Sequence, residues 1–216
     1  MGEKALFVEH PSDDSNRNFK REYGDSLNDL APWTDLKKTP YTITGPYLKE
    51  LFDQAFIDGL HEPGKRPPAD SWEQALLKTD DLKLRCSNSK CQQKWFIYTN
   101  TKVTKCPFCE TRYSASIPVL DFYYRFNHGQ WKSQNMRLVL CNHTTLHNWH
   151  VFKDVLRNER LTKLDQKRVG YFSWHNQKWL FVNEKLDSLK DVTDSNNHKA
   201  LGIGESIELK TGMKLL

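Results

Sequence analysis

Much of what defines common protein classes is missing from this 216-residue chain. No run approaches the roughly eighteen consecutive apolar residues that a membrane-spanning helix requires, and no charged-then-apolar leader opens the sequence. The expectation is a cytoplasmic protein that makes no use of a membrane. There is no glycine-rich phosphate loop, no Ser-His-Asp order and no nucleophile elbow, so nothing supports an independent hydrolase. Cysteine is scarce and odd in number: with five, one always remains after pairing, which fits poorly with a disulfide framework.

What is present is core material and uneven charge. Hydrophobic residues make up 38% of the chain and aromatics 12%, enough for one large or two small domains. The net charge of +5 is not spread evenly. Residues 1–35 carry eight acidic against four basic side chains, whereas residues 80–170 carry sixteen basic against seven acidic. The basic segment suits nucleic acid, an acidic partner or a phosphorylated peptide. Its charges are scattered, with no dense run, and this equally describes a solvated surface around a thiolate site.

Four of the cysteines fall in one short stretch. Cys86 and Cys91 form a C-x4-C pair, Cys106 and Cys109 a C-x2-C pair, and fourteen residues rich in strand formers separate them. Zinc accepts a tetrahedron of thiolates and imposes no geometry of its own, so two tight turns facing each other suffice. The spacing predicts a zinc ribbon in which Cys86, Cys91, Cys106 and Cys109 are the metal ligands. Trp95, Ile97 and Thr99 alternate with Phe96, Tyr98 and Asn100, and a turn at Asn100-Thr101 into Lys102-Val103-Thr104 would bring the second pair back to the first. Lys83, Arg85, Lys90, Lys94 and Lys105 are close enough in sequence to offset the −2 charge of a four-thiolate dication centre. Such a centre is closed, so it folds the chain and does not catalyse. Cys141 is then a small buried apolar residue.

Before the ribbon, residues 1–45 read as a long irregular loop anchored by His10-Pro11 and Trp33. Pro46 suits a first helical turn, Leu48, Leu51, Phe52, Ala55 and Phe56 share one helical face, and Gly59 ends the pattern. A shorter helix is predicted from about Asp70 to Lys78, with Trp72, Ala75 and Leu76 on one side. Beyond residue 113 the chain turns to short β-branched and aromatic runs: Ile117 to Phe126, Met136 to Cys141, Val169 to Ser173 and Trp179 to Asn183. These predict an antiparallel sandwich, with Val151 to Arg160 the one helix candidate.

The run LFDQAFIDGLHEPGKRPPADSWEQAL, with Arg66-Pro67, Trp72 and Leu76, resembles the last two helices of a protein kinase catalytic domain. Together with ALFVEHPSDDSNR, PYTITGPYLKELFDQAF and the ribbon after the closing helix, it is similar to bacterial Ser/Thr kinases found with tellurite-resistance stress gene clusters. The resemblance implies an α+β chain in three parts: the end of a kinase C-lobe at 1–80, the ribbon at 81–113 and a β-rich domain at 114–216. It implies that Arg66 is the arginine of a buried structural ion pair, whose carboxylate is missing here. The glycine-rich loop, strand lysine, HRD-type loop and DFG-type aspartate of a kinase are all absent, so no catalytic residue is assigned, and ATP and Mg2+ belong only to a full-length parent. The chain is expected to be a regulatory or scaffold segment, either the C-terminal portion of a longer protein or a truncated product, whose partners include the missing kinase portion. The tail from Val169 to Leu209 resembles the second half of a forkhead-associated domain, which implies a phosphorylated protein partner; its arginine and serine are not placed, and Asn183 lies near the family's asparagine. The alternative is a zinc-ribbon nucleic-acid-binding protein with Trp95, Phe96 and Tyr98 as stacking faces.

Two further patterns have plainer explanations. Cys141, His143, His147 and His150 could build a second metal site, and ligands at i and i+4 suit a helix, but Thr144, Thr145, Asn148 and Trp149 are poor helix formers and strand alternation does not put the three histidines on one face. The Asp13-Asp14 and Asp80-Asp81 pairs sit at segment ends, where capping accounts for them.

Overall fold

The computed structural model describes residues 8–9, 19–20, 41–59, 62–99, 103–114, 116–126, 130–158 and 160–216. It is a mixed helix and sheet chain, with three α-helices and several antiparallel sheets among the described residues. The chain divides into two compact units, Met1–Ser116 and Ile117–Leu216. The expectations for His10-Pro11, Asp13-Asp14, Trp33 and the Asn100-Thr101 turn lie outside the described residues.

In the first unit, β1 (Val8–Glu9) and β2 (Phe19–Lys20) form a minimal antiparallel pair. Helix α1 (Pro46–Asp53) starts on Pro46, as the fixed φ of proline favours. It widens into a π-turn over Gln54–Asp58, closed by the Gly59 N–H donating to the Gln54 carbonyl at 2.8 Å. Phe52 meets Trp72 of α2 (Ala69–Asp80) edge to face, centroids 5.2 Å apart. The apolar face predicted for α1 therefore has a partner. The buried positions of α2 are Ala75 and Thr79, and Leu76, about 100° further round the helix than Ala75, is exposed. The helix runs into Leu82 and β3 (Lys83–Arg85), which pairs antiparallel with β4 (Trp95–Ile97). Leu82, Leu84 and Phe96 are buried here. Gly45 has φ +90°, and a Cβ there would fall 2.6 Å from Ile97 Cγ2, so only glycine lets α1 begin this close to β4.

In the second unit, β5 (Val119–Arg125) and β6 (Trp131–Val139) form a two-stranded sheet. A four-stranded antiparallel sheet has the order β12-β9-β8-β7, from β7 (Thr145–His147), β8 (Arg168–His175), β9 (Lys178–Asn183) and β12 (Ser206–Glu208). Strands β10 (Lys190–Asp191) and β11 (Lys199–Ala200) make a further pair. Asn176 and Gln177 both have positive φ, the two-residue turn whose twist matches the β8–β9 hairpin. The core joins Leu138, Leu140, Leu146, Val169, Phe172 and Phe181, with Phe172 and Phe181 directly opposed and 5.0 Å apart. Gly170 lets the Phe181 ring lie on the backbone; a Cβ there would sit 2.5 Å from it. The predicted strands from Ile117 onward are present, but a small helix, α3 (Asn148–Val151), ends where the expected one should begin. The His147 side chain and the His150 ring close its first turn reciprocally, Phe152 is extended, and a turn closed by the Val155 N–H on the Phe152 carbonyl follows.

Asn183, at the end of β9, is 0% exposed and its side chain is spent on backbone. Its Nδ2 donates to the carbonyls of Leu186 (2.8 Å) and Leu201 (2.9 Å), and its Oδ1 accepts from the Leu186 N–H (2.8 Å). It ties the loop after β9 to the chain after β11. We predict that Asn183→Leu lowers unfolding free energy by about 2–4 kcal/mol, because each orphaned buried group costs about 1–3 kcal/mol. Asn183→Asp should not rescue it, since a carboxylate cannot donate to the Leu186 and Leu201 carbonyls; denaturant midpoints of the two variants check this.

Candidate metal centre

The sulfurs of Cys86, Cys91, Cys106 and Cys109 all lie within 4.8 Å of one another. Cys86 Sγ is 3.5 Å from Cys109 Sγ, and Cys91 Sγ is 3.9 Å from Cys106 Sγ. None is in a disulfide. A tetrahedron of sulfurs about 2.3 Å from a central ion has edges of about 3.8 Å, so the donor set fits a structural metal ion as it stands. Among the described residues this is the one group of three or more His, Cys, Asp or Glu side chains placed to hold an ion.

Each cysteine pair rides on a tight turn. The first sits between β3 and β4: the Cys86 N–H donates to the Lys94 carbonyl (2.7 Å) and the Cys91 N–H to the Asn88 carbonyl (3.0 Å). Asn88 also accepts the Lys90 N–H on its side chain (3.0 Å), and Lys94 takes the left-handed conformation that returns the chain to β4. In the second, the Cys106 N–H donates to the Thr111 carbonyl and the Glu110 N–H to the Cys106 carbonyl, both at 2.9 Å, with Glu110 at φ 59°. The strand that carries Trp95 to Ile97 pairs with Lys83 to Arg85, ahead of Cys86, so the hairpin encloses the first cysteine pair rather than linking the first pair to the second.

The sulfur environment alternates burial with donors. Burial pushes the Cys86 thiol up to about 12, against a backbone N–H donor at Asn88. Burial also raises Cys106, with the N–H groups of Phe108 and Cys109 working the other way. Cys109, the least buried, is brought down to about 6 by the Thr111 side chain, 3.3 Å away, and the Thr111 backbone. Asn88, Phe108 and Thr111 each stand two residues beyond a cysteine. The turn amides therefore take a direct part in balancing the thiolate charge. Of the cations expected to do so, Lys83 is paired with Asp80 and Lys105 with Glu110. Thr111 and Asn88 escaped the reading of the sequence, although an Asn in a cysteine turn and a Thr two residues past the last cysteine are local signals.

The other predicted residues are dispersed. Arg66 is exposed, and its Nε donates to the Gly59 carbonyl at 2.7 Å, closing the turn after α1. Phe96 is 6% exposed and belongs to the core of its unit, so it offers no stacking face, while Trp95 is half-exposed. Asn183 is unavailable to a ligand for the reason given above. Cys141, His143, His147 and His150 do not form a metal cluster. The Cys141 N–H donates to Thr144 Oγ1 (2.8 Å), His143 lies in an exposed turn, and both ring nitrogens of the buried His150 face N–H donors, from His147 and Trp149. Asp80 pairs with Lys83, and Asp81 caps α2. No described helix is long and apolar enough to cross a membrane. Comparison with protein-family models, with curated proteins and with solved structures finds no match.

A metal here binds thiolates, so uptake releases the protons that burial keeps on Cys86 and Cys106. Apparent metal affinity should therefore fall as pH is lowered. Chelation, or Cys106→Ser, should unfold β3, β4 and both turns while leaving the core around Phe172 and Phe181 intact. Loss of amide-exchange protection confined to residues 82–113 is the expected result.

Proposed function

We propose that this chain is a regulatory or scaffold segment without catalytic residues of its own, built on a zinc ribbon and a β-rich domain that recognises a partner protein. The single observation that carries this reading is the set of four sulfurs close enough to enclose one ion. With four thiolates no coordination position is left for water or substrate, so the ion serves folding. Zinc is the ion proposed, because an all-thiolate tetrahedral set selects it over harder cations. The division into 1–80, 81–113 and 114–216, a cytoplasmic location and an origin as the C-terminal part of a Ser/Thr kinase-like stress protein belong to the same proposal. The division and the origin rest on the resemblance around Arg66, Pro67 and Trp72, and the location on the lack of a long apolar run. A phosphorylated partner is included through the forkhead-associated resemblance, with a residue other than Asn183 making the contact. Elemental analysis should give one zinc per chain, and titration of ATP with Mg2+ should leave the thermal unfolding midpoint unmoved. A clear upward shift would overturn the non-catalytic reading.

A second reading, nucleic-acid binding through the ribbon, is favoured by Trp95, which is half-exposed and stands directly opposite Arg85 in the β3–β4 ladder. On this reading Trp95→Ala weakens nucleic-acid binding and leaves zinc content unchanged; equal affinity of the variant and the parent chain removes it.

A further inference from the structure

Between Asp121 and Asp154 the chain has no acidic residue, while Arg125, Lys132, Arg137 and Lys153 all fall in that interval. The structure gathers part of this stretch on one hairpin. At the core end, Leu120, Phe122 and Leu138 of β5 and β6 pack inward, and Arg137 is spent on Asp121 at 2.7 Å. Towards the turn the pattern changes. Tyr123 and Arg125 alternate with Phe122 and Tyr124 along β5, so they share the face turned away from Phe122, and Trp131 lies directly opposite Arg125. Tyr123 is 54% exposed and Trp131 50%. On the other face, Lys132 Nζ sits 3.7 Å from the centre of the Phe126 ring, and Lys153 Nζ 4.9 Å from that of Tyr124. Arg125, Lys132 and Lys153 are in no ion pair among the described residues.

We infer that the end of the β5–β6 hairpin is a binding surface for single-stranded nucleic acid, with Tyr123 and Trp131 stacking on bases and Arg125, on the same face, contacting phosphate, while Lys132 and Lys153 on the opposite face add to the positive field. This goes beyond the proposed function, because the unit Ile117–Leu216 contains none of the four ligand cysteines. Charge alone would also admit an acidic peptide. The rings decide between them: two exposed aromatic side chains beside Arg125 on one face match a polymer that brings one ring and one negative charge per unit, and a Glu-rich peptide brings no rings. A duplex hides its base faces within the stack, so the single strand is the better ligand.

The test uses the full zinc-loaded chain and a fluorescein-labelled oligodeoxythymidine of about twelve nucleotides, within the usual site size. Anisotropy should report binding that weakens about two- to threefold between 50 and 200 mM salt, the slope for one phosphate contact on a single strand. Tyr123→Ala with Trp131→Ala should weaken binding at least tenfold, with the unfolding midpoint within a few degrees of the parent chain. Trp131→Phe keeps a ring and should bind within about threefold of it. The inference fails if the duplex binds as tightly as the single strand, if a Glu-rich peptide binds and the oligonucleotide does not, or if removing both rings has no effect. It also fails if Trp131→Phe binds as weakly as the double variant.

Discussion

Four sulfurs brought within reach of one another make a demand that the rest of the first unit has to meet. A buried thiol holds its proton, and a buried thiolate without a cation is expensive, so the cluster is favourable only around a metal. The protein contributes turns more than charges: backbone N–H groups two residues past Cys86, Cys106 and Cys109 point at the sulfurs, and left-handed residues at Lys94 and Glu110 close the two loops. Strand β3 delivers Cys86, and β4 leaves after Cys91. Leu84 and Phe96, opposed in that short ladder, link the first cysteine turn to Leu82 just beyond α2. A three-residue pair of strands is too short to stand alone. Here it is held at one end by the cysteine turn and at the other by the helix.

The second unit solves the same problem of holding short strands together without a cysteine cluster. Its substitute is a buried amide: Asn183 offers two donors and an acceptor, and loop backbone uses them all. The cost of burying the amide is offset because each of its hydrogen bonds also satisfies a backbone group that would otherwise be orphaned. Around it Phe172 and Phe181 fill the sheet, at the expense of a Cβ at residue 170. One unit is thus organised around a cysteine cluster that fits a metal ion and the other by packing plus one polar hub, which is why removal of a metal should be felt in the first alone.

The cysteine set was legible because its signal is local: two turns, four ligands and a spacing that few other chemistries share. Helix α1 and the β8 and β9 runs were legible because periodicity and turn residues mark them within a dozen positions. The pairing of Trp95 to Ile97 was not, since its partner comes before Cys86 in a segment, Lys83 to Arg85, with only one apolar residue. Nor could the roles of Arg66 and Asn183 be read. Each donates to backbone carbonyls, at Gly59 for one and at Leu186 and Leu201 for the other, and sequence patterns carry no record of where carbonyls point. Helix α3 is short for a similar reason, because a His147 and His150 exchange in its first turn outweighs the weak periodicity after it.

The aromatic residues show most clearly how topology sorts one composition into different uses. Phe96 and Tyr98 looked alike with Trp95 in sequence, yet strand alternation sends Phe96 into the core and turns Trp95 towards solvent beside Arg85. In β5 the same alternation sends Phe122 inward and Tyr123 outward, and past the core the inward face itself becomes exposed, so lysines settle on the Tyr124 and Phe126 rings. A cation on a ring face lowers the cost of exposing the ring and keeps the ammonium at the surface. Ordered rings and unpaired positive charge at the end of a hairpin, with no carboxylate for thirty residues of sequence, are more than packing requires. A hairpin that only completed the core could end at Phe122, and the aromatic residues beyond it are what a ligand-binding role accounts for.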